Sequence, residues 1–192
     1  MQRESVWSRF SQLIHRLSPG WMALLGIAVF AFFIVVILPS QAAQSEEETG
    51  GGPSPDQSFF YTPSDLYDMA ESYGEEGRAA YIRARFTFDL VWPIAYLFFL
   101  ATSISWLSRH AFSSSSFLQH MNLLPVAATL FDYLENVGAA IVMARFPSTT
   151  AVVAIATPIF TMLKWASIAV AFVTVVIAAV AALVRVLSGR QV

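Results

Sequence analysis

Residues 123–144 read LLPVAATLFDYLENVGAAIVMA, and the rest of the chain is read outward from this run. A helix that crosses the hydrocarbon core of a bilayer needs ~20 mostly apolar residues, and the run supplies them. Yet Asp132 and Glu135 lie inside it. An ionisable group at the centre of a spanning helix costs roughly 2.5–3.5 kcal/mol on insertion scales. Groups kept there face one another or a wet cavity, and they mark function by default. Helical spacing puts Thr129, Asp132, Glu135, Asn136 and Ala139 three or four residues apart, hence on one face. The run reads as a spanning helix with one polar stripe.

Three further apolar runs flank it. Residues 86–107 carry Asp89, Trp92, Pro93 and Tyr96 on the face that continues from Arg85. Residues 151–184 are long enough to tilt or to extend past a bilayer. Thr157, Thr161 and Lys164 share one face there, beside Pro158 and Trp165. Residues 21–38 are unbroken and apolar with no polar stripe, which suits a lipid-facing or peripheral helix. A basic start, an apolar core and Ser40-Gln41-Ala42 also fit a cleaved signal peptide. Signal cores run 7–15 residues and this one is longer, so a retained helix is expected.

Composition agrees. The chain has 192 residues, 56% hydrophobic and only 12% charged, against about 25% charged in soluble domains. A net charge of -2 gives nothing to attract nucleic acid. The absence of cysteine excludes disulfides, thiolate chemistry and Cys-ligated metals. His15, His110 and His120 follow no metal-binding spacing. No phosphate-cradling glycine loop, HExxH motif or Ser/His/Asp arrangement is present. No cofactor and no metal site is therefore expected, and no catalytic residue can be named.

The expected organisation is a cytoplasmic basic tail (1–20), a first transmembrane helix (21–40), a flexible acidic linker (41–58), an external amphipathic region (59–84) and a three-helix transmembrane core with a short tail (85–192). The linker reading rests on Glu46-Glu47-Glu48 and Gly50-Gly51-Gly52-Pro53, which bury nothing by themselves. Thr62-Pro63-Ser64-Asp65 is a helix start, with Thr62 able to cap and Asp65 where a capping-box acid would stand. Leu66, Met69, Ala70 and Tyr73 then form one apolar stripe. Such a helix lies at the membrane surface or packs on the bundle as a lid. Glu75-Glu76 opens a second helix that runs on into the span beginning at Phe86.

Basic residues near short loops orient membrane proteins. With four spans, Arg3, Arg9, Arg16, Arg109, Arg185 and Arg190 fall on one side, and Arg78, Arg83, Arg85 and Arg145 on the other. Both termini are therefore expected in the cytoplasm of a multi-pass cell-membrane protein, with the amphipathic region outside.

At ~1.5 Å per residue, Glu135 and Lys164 reach similar depths, with Asp89 nearer the outer end. Arg85 can satisfy Asp89 at i+4. Asp132 and Glu135 then face Lys164. Two carboxylates one turn apart with one cation do not both stay charged in low dielectric, so one holds a proton or another cation is present. A Lys164–Glu135 bridge that merely holds the bundle, with Asp132 bonded to Asn136 or Thr129, is the rival account. Pro93 and Pro158 free the carbonyls of Asp89 and Ala154, which need a side chain, water or a cation.

The run Arg85-Phe-Thr-Phe-Asp89-Leu-Val-Trp-Pro93-Ile-Ala-Tyr96, with Phe131-Asp132-Tyr-Leu-Glu135-Asn136 after it, resembles a pattern in small uncharacterised prokaryotic membrane proteins. The resemblance covers the second and third spans and implies a four-helix integral membrane protein, with no activity attached.

The expected fold is thus all-α: a polytopic membrane protein with four transmembrane helices and one external amphipathic helix. The expected function is binding of a polar or ionic ligand, or proton translocation, at Asp89, Asp132, Glu135, Asn136 and Lys164, with Arg85 and Tyr96. The alternatives are an accessory or structural subunit of a membrane complex and a lipid-modifying membrane enzyme. The expected partners are the lipid bilayer, a small polar ligand or ion, and other membrane subunits.

Overall fold

The computed structural model describes residues 5–189; Arg3 and Arg190, which entered the charge bias, lie outside them. The chain is all-α, with no strand among the described residues. Its helices are α1 (Val6–Leu17), α2 (Gly20–Phe32), α3 (Leu38–Thr49), α4 (Pro63–Ser72), α5 (Gly74–Arg85), α6 (Phe88–Ala111), α7 (Leu124–Arg145) and α8 (Ala151–Leu187). A π-helical segment, Phe33–Ile37, joins α2 to α3, and a 3-10 segment, Phe117–Leu123, leads into α7. Four stretches are long and apolar enough to cross a membrane: Gly20–Glu47, Gly74–Ala111, Phe117–Arg145 and Ala151–Leu187. The first of these is the least buried, as its lack of a polar stripe implied.

The chain forms two compact units. The first comprises the described chain up to Ala31, Ala95–Ala127 and the chain from Ser167 onward. Phe30, Phe99 and Phe172 form a cluster of rings here, with Phe30 and Phe99 stacked at 4.6 Å. Gly26 lets α2 close on α6, because a Cβ there would meet Thr102 Oγ1 at 2.9 Å and Phe99 Cα at 3.0 Å. Most of the basic segment over residues 1–20 is helix α1, N-capped by Ser5, whose hydroxyl accepts from the Ser8 amide at 3.1 Å. Tertiary hydrogen bonds hold it. Ser11 donates to Asn122 Oδ1 at 2.8 Å, and Asn122 returns a bond to Ser11 O at 3.0 Å. Arg109 donates to the carbonyls of His15 and Ser18, so a cation sits at the α1 C-terminus.

The second unit comprises Phe32–Ile94 and Ala128–Ala166. Its core gathers Tyr61, Leu66, Met69, Ala70, Tyr73, Tyr81, Ala139, Val142, Met143 and Ala154. The capping box forms: the Thr62 amide donates to Asp65 Oδ2 at 2.7 Å and the Asp65 amide to Thr62 Oγ1 at 3.2 Å. The stripe of α4 is buried in this core, so the helix packs as a lid and not with its apolar side toward lipid. Gly138 brings α7 and α8 together, since a Cβ at 138 would collide with Thr157 Oγ1.

Two boundaries differ from expectation in this unit. The flexible linker over 41–58 is corrected: helix continues to Thr49, because Gln41–Glu47 can propagate a helix that α2 has already nucleated, and it stops at Gly50 (φ 72°). Beyond it, Ser54 and Pro55 are buried, and the Tyr73 hydroxyl donates to Pro53 O at 2.7 Å. The segment therefore packs on its unit. The 59–84 region holds the two helices expected of it, but α5 does not run straight on into α6. The chain breaks at Phe86–Thr87, where the Thr87 hydroxyl donates to Arg83 O at 2.8 Å, a local bond that competes with the helical ladder.

Candidate functional site

The buried charges converge in the second unit. Asp89 follows Arg85 by one turn, and its Oδ2 lies 2.9 Å from Arg85 Nη2. The break between α5 and α6 falls between these two residues yet preserves the i,i+4 spacing that pairs them. Arg85 also donates to Asn136 Oδ1 at 3.5 Å, and Asn136 Nδ2 donates to Asp132 Oδ1 at 3.1 Å. One turn of α7 thus relays the cluster from Arg85 to Asp132. Glu135, on the same face, is fully buried and ion-paired with Lys164 of α8. The Lys164 ammonium also lies 5.4 Å over the Trp165 ring.

Several residues escaped the sequence reading. Asp56 forms an ion pair with Arg85 and is the most open member of the cluster, its side chain 25% exposed. Burial would lift its carboxyl, but the Arg85 guanidinium and the Lys164 ammonium outweigh burial and hold it below the usual carboxylate range. Tyr61 donates to or accepts from Thr161 Oγ1 at 2.9 Å; burial, then the nearby Glu135, push its phenol upward. Burial pushes Tyr73 up to about 12. Tyr81 lies under the Arg85 guanidinium at 4.4 Å from its ring centroid. Asp56 stands in a Gly/Pro-rich segment without apolar periodicity; its only signal was Pro53-Ser54-Pro55, a stiff approach to a polar residue.

Tyr96, one turn beyond Pro93 on α6, is buried within the first unit. Near the Pro93 kink, the Tyr133 hydroxyl donates to Leu90 O at 2.9 Å and Thr129 to Pro93 O at 3.3 Å. Side chains of α7 thus serve α6 carbonyls at that level.

The arithmetic of the cluster is unbalanced. Asp56, Asp89, Asp132 and Glu135 are four carboxylates, and Arg85 and Lys164 are two cations. Fully ionised, the group would carry two uncompensated negative charges. Hydrogen bonding is also incomplete: the Tyr81 hydroxyl, Arg85 Nε and Glu135 Oε1 are buried without hydrogen-bond partners. Such atoms call for an unseen water, proton or ion. Among the described residues, no three His, Asp or Glu side chains converge as a metal-ligand set. The chemistry on offer is therefore electrostatic: an excess of carboxylates that attracts positive charge.

Comparison of the chain with family models, with curated proteins and with solved structures finds no match.

Proposed function

We propose that this is a four-span integral membrane protein, with both termini cytoplasmic, that binds a small cation, protons included, at the Asp56/Arg85/Asp89/Asp132/Glu135/Lys164 cluster. The observation that carries the reading is the deficit of two positive charges across the cluster, five of whose six members are buried. Uncompensated ions in low dielectric cost several kcal/mol each, so protons or another cation must complete the set. The partly exposed Asp56 gives an entry point, and the unpartnered Glu135 Oε1 and Tyr81 hydroxyl give an added guest something to bind.

The test uses the full chain in nanodiscs, in weakly buffered solution with a pH indicator. Sodium, potassium and guanidinium chlorides are added in turn. Displacement of protons by a bound cation should release up to two protons per chain with saturable dependence. Asp132→Asn with Glu135→Gln should abolish the release. A linear, unsaturable response identical in the variant would sink the reading.

A second reading has its own observation. Both cations already have carboxylate partners, and a satisfied ion pair can serve assembly alone. In that case the chain is an accessory subunit. The same titration would then stay flat, and the variant would instead lose its monodisperse state on extraction.

A further inference from the structure

Helix α1 has three faces. At 100° per residue, Val6, Phe10, Leu13 and Leu17 fall on one stripe, with Trp7 at its edge. These side chains are exposed, from 40% at Phe10 to 75% at Val6. The second face, Ser8, Ser11 and His15, is the one turned to the protein. Besides the Ser11–Asn122 pair, His15 bonds Ser105 O and Gln119 O at 3.2 and 2.9 Å, and Ser8 meets His120 at 3.3 Å. The third carries Arg9, Gln12 and Arg16, all exposed, with the two arginines seven residues apart and so in line.

A helix on a water-soluble protein buries its apolar stripe and exposes its polar one. Here the polar face is buried through hydrogen bonds and the apolar one is left outside. The medium beside that stripe is therefore not water. Ser18 and Pro19 alone separate α1 from α2, the least buried spanning helix. The apolar surface also continues past Trp7 into a cleft of about 470 Å³ lined by Phe117, Met121 and Leu124.

We infer that α1 lies in the plane of the bilayer interface, its Val6/Phe10/Leu13/Leu17 edge among the acyl chains and its Arg9/Arg16 edge on the headgroups of anionic phospholipids. Amphipathic helices with basic polar faces sit about 5–10 Å into this boundary. Two aligned arginines, with no acid anywhere in α1, supply the charge complementarity that selects anionic lipid over a protein partner. Arginine suits phosphate because its planar fork binds two oxygens at once. The inference rests on α2 crossing the membrane, as proposed above.

The chain has no cysteine, so a bimane on one introduced cysteine reports one place. Full-length protein goes into nanodiscs of phosphatidylcholine with phosphatidylglycerol. Leu13→Cys should be quenched by lipids brominated high on the chain and shielded from aqueous iodide. Gln12→Cys should show the reverse. Brominated phosphatidylglycerol should quench position 13 more effectively than brominated phosphatidylcholine, by about five-fold per arginine at low salt. Arg9→Gln/Arg16→Gln or added salt should remove that preference. Ile27→Cys on α2 reports the spanning reading independently. Lipid quenching at 27 with iodide quenching at 13 would overturn the interfacial helix alone. Lipid quenching at both positions with equal response to the two headgroups would overturn the anionic selection. Iodide quenching at 27 would bring down the spanning reading and this inference with it.

Discussion

Helices α1 and α4 are both short and amphipathic, yet they are seated opposite ways round. On α4, Leu66, Met69, Ala70 and Tyr73 are buried and the polar face is outside. On α1, the serines and His15 are turned inward and the large apolar side chains are outside. The two units differ in the same spirit. The network holding α1 is built of hydrogen bonds among Ser11, Ser105, Gln119 and Asn122, with Arg109 on backbone carbonyls and no carboxylate in it. The unit that holds α4 is built around ions. Amphipathicity records a boundary between two media without saying which medium lies on which side.

Cutting an ion should hurt most. Lys164→Met leaves Glu135 buried and unpaired, which costs about 3–5 kcal/mol. Adding Glu135→Gln should restore part of the loss, read from thermal unfolding in detergent as a double-mutant cycle. Zero coupling would mean that the pair contributes nothing, and the contrast between the two units would collapse.

The two leucine stripes give the next largest difference. Leu66→Ala empties a fully buried site and should cost about 3 kcal/mol. Leu13→Ala, on an exposed position, should stay within about 0.5 kcal/mol in detergent. Equal losses would break the comparison outright, because α1 would then bury its stripe as α4 does.

Removing a neutral amide falls between. Asn122→Ala leaves Ser11 and Ser105 short of a partner in a buried place, at about 1–3 kcal/mol. The loss should appear locally, as faster proteolysis within α1, while cleavage between α3 and α4 keeps its rate. Uniform acceleration at both places would show that the two networks are not separable.

The smallest effect is one of pH. Burial holds the His15 imidazole below its ordinary value, against the hydrogen bonds to Gln119 and Ser105 that raise it. The folded state thus prefers the neutral ring, and unfolding takes up a proton. The docking of α1 should be fully present above the ordinary value of about 6.5 and weaken as pH falls through the depressed one. Acidification from pH 7 to 5 should raise proteolysis of α1, and His15→Gln should flatten that profile. A profile unchanged by the substitution would assign the sensitivity to another group.

Residues such as 123–144 made the four long apolar helices legible, because length and hydropathy are local properties. Period alone put Asp132, Glu135 and Asn136 on one face of α7, and i,i+4 spacing alone paired Arg85 with Asp89. The capping box at Thr62 and Asp65 was equally local. Asp56 was not legible, since its carboxylate matters only where a Gly- and Pro-rich segment folds back onto Arg85, some thirty residues away in sequence. The seating of α1 was decided last and only in three dimensions: its stripes are written in the chain, but which stripe meets protein depended on Asn122, Gln119 and Ser105 arriving opposite Ser11 and His15 from distant helices.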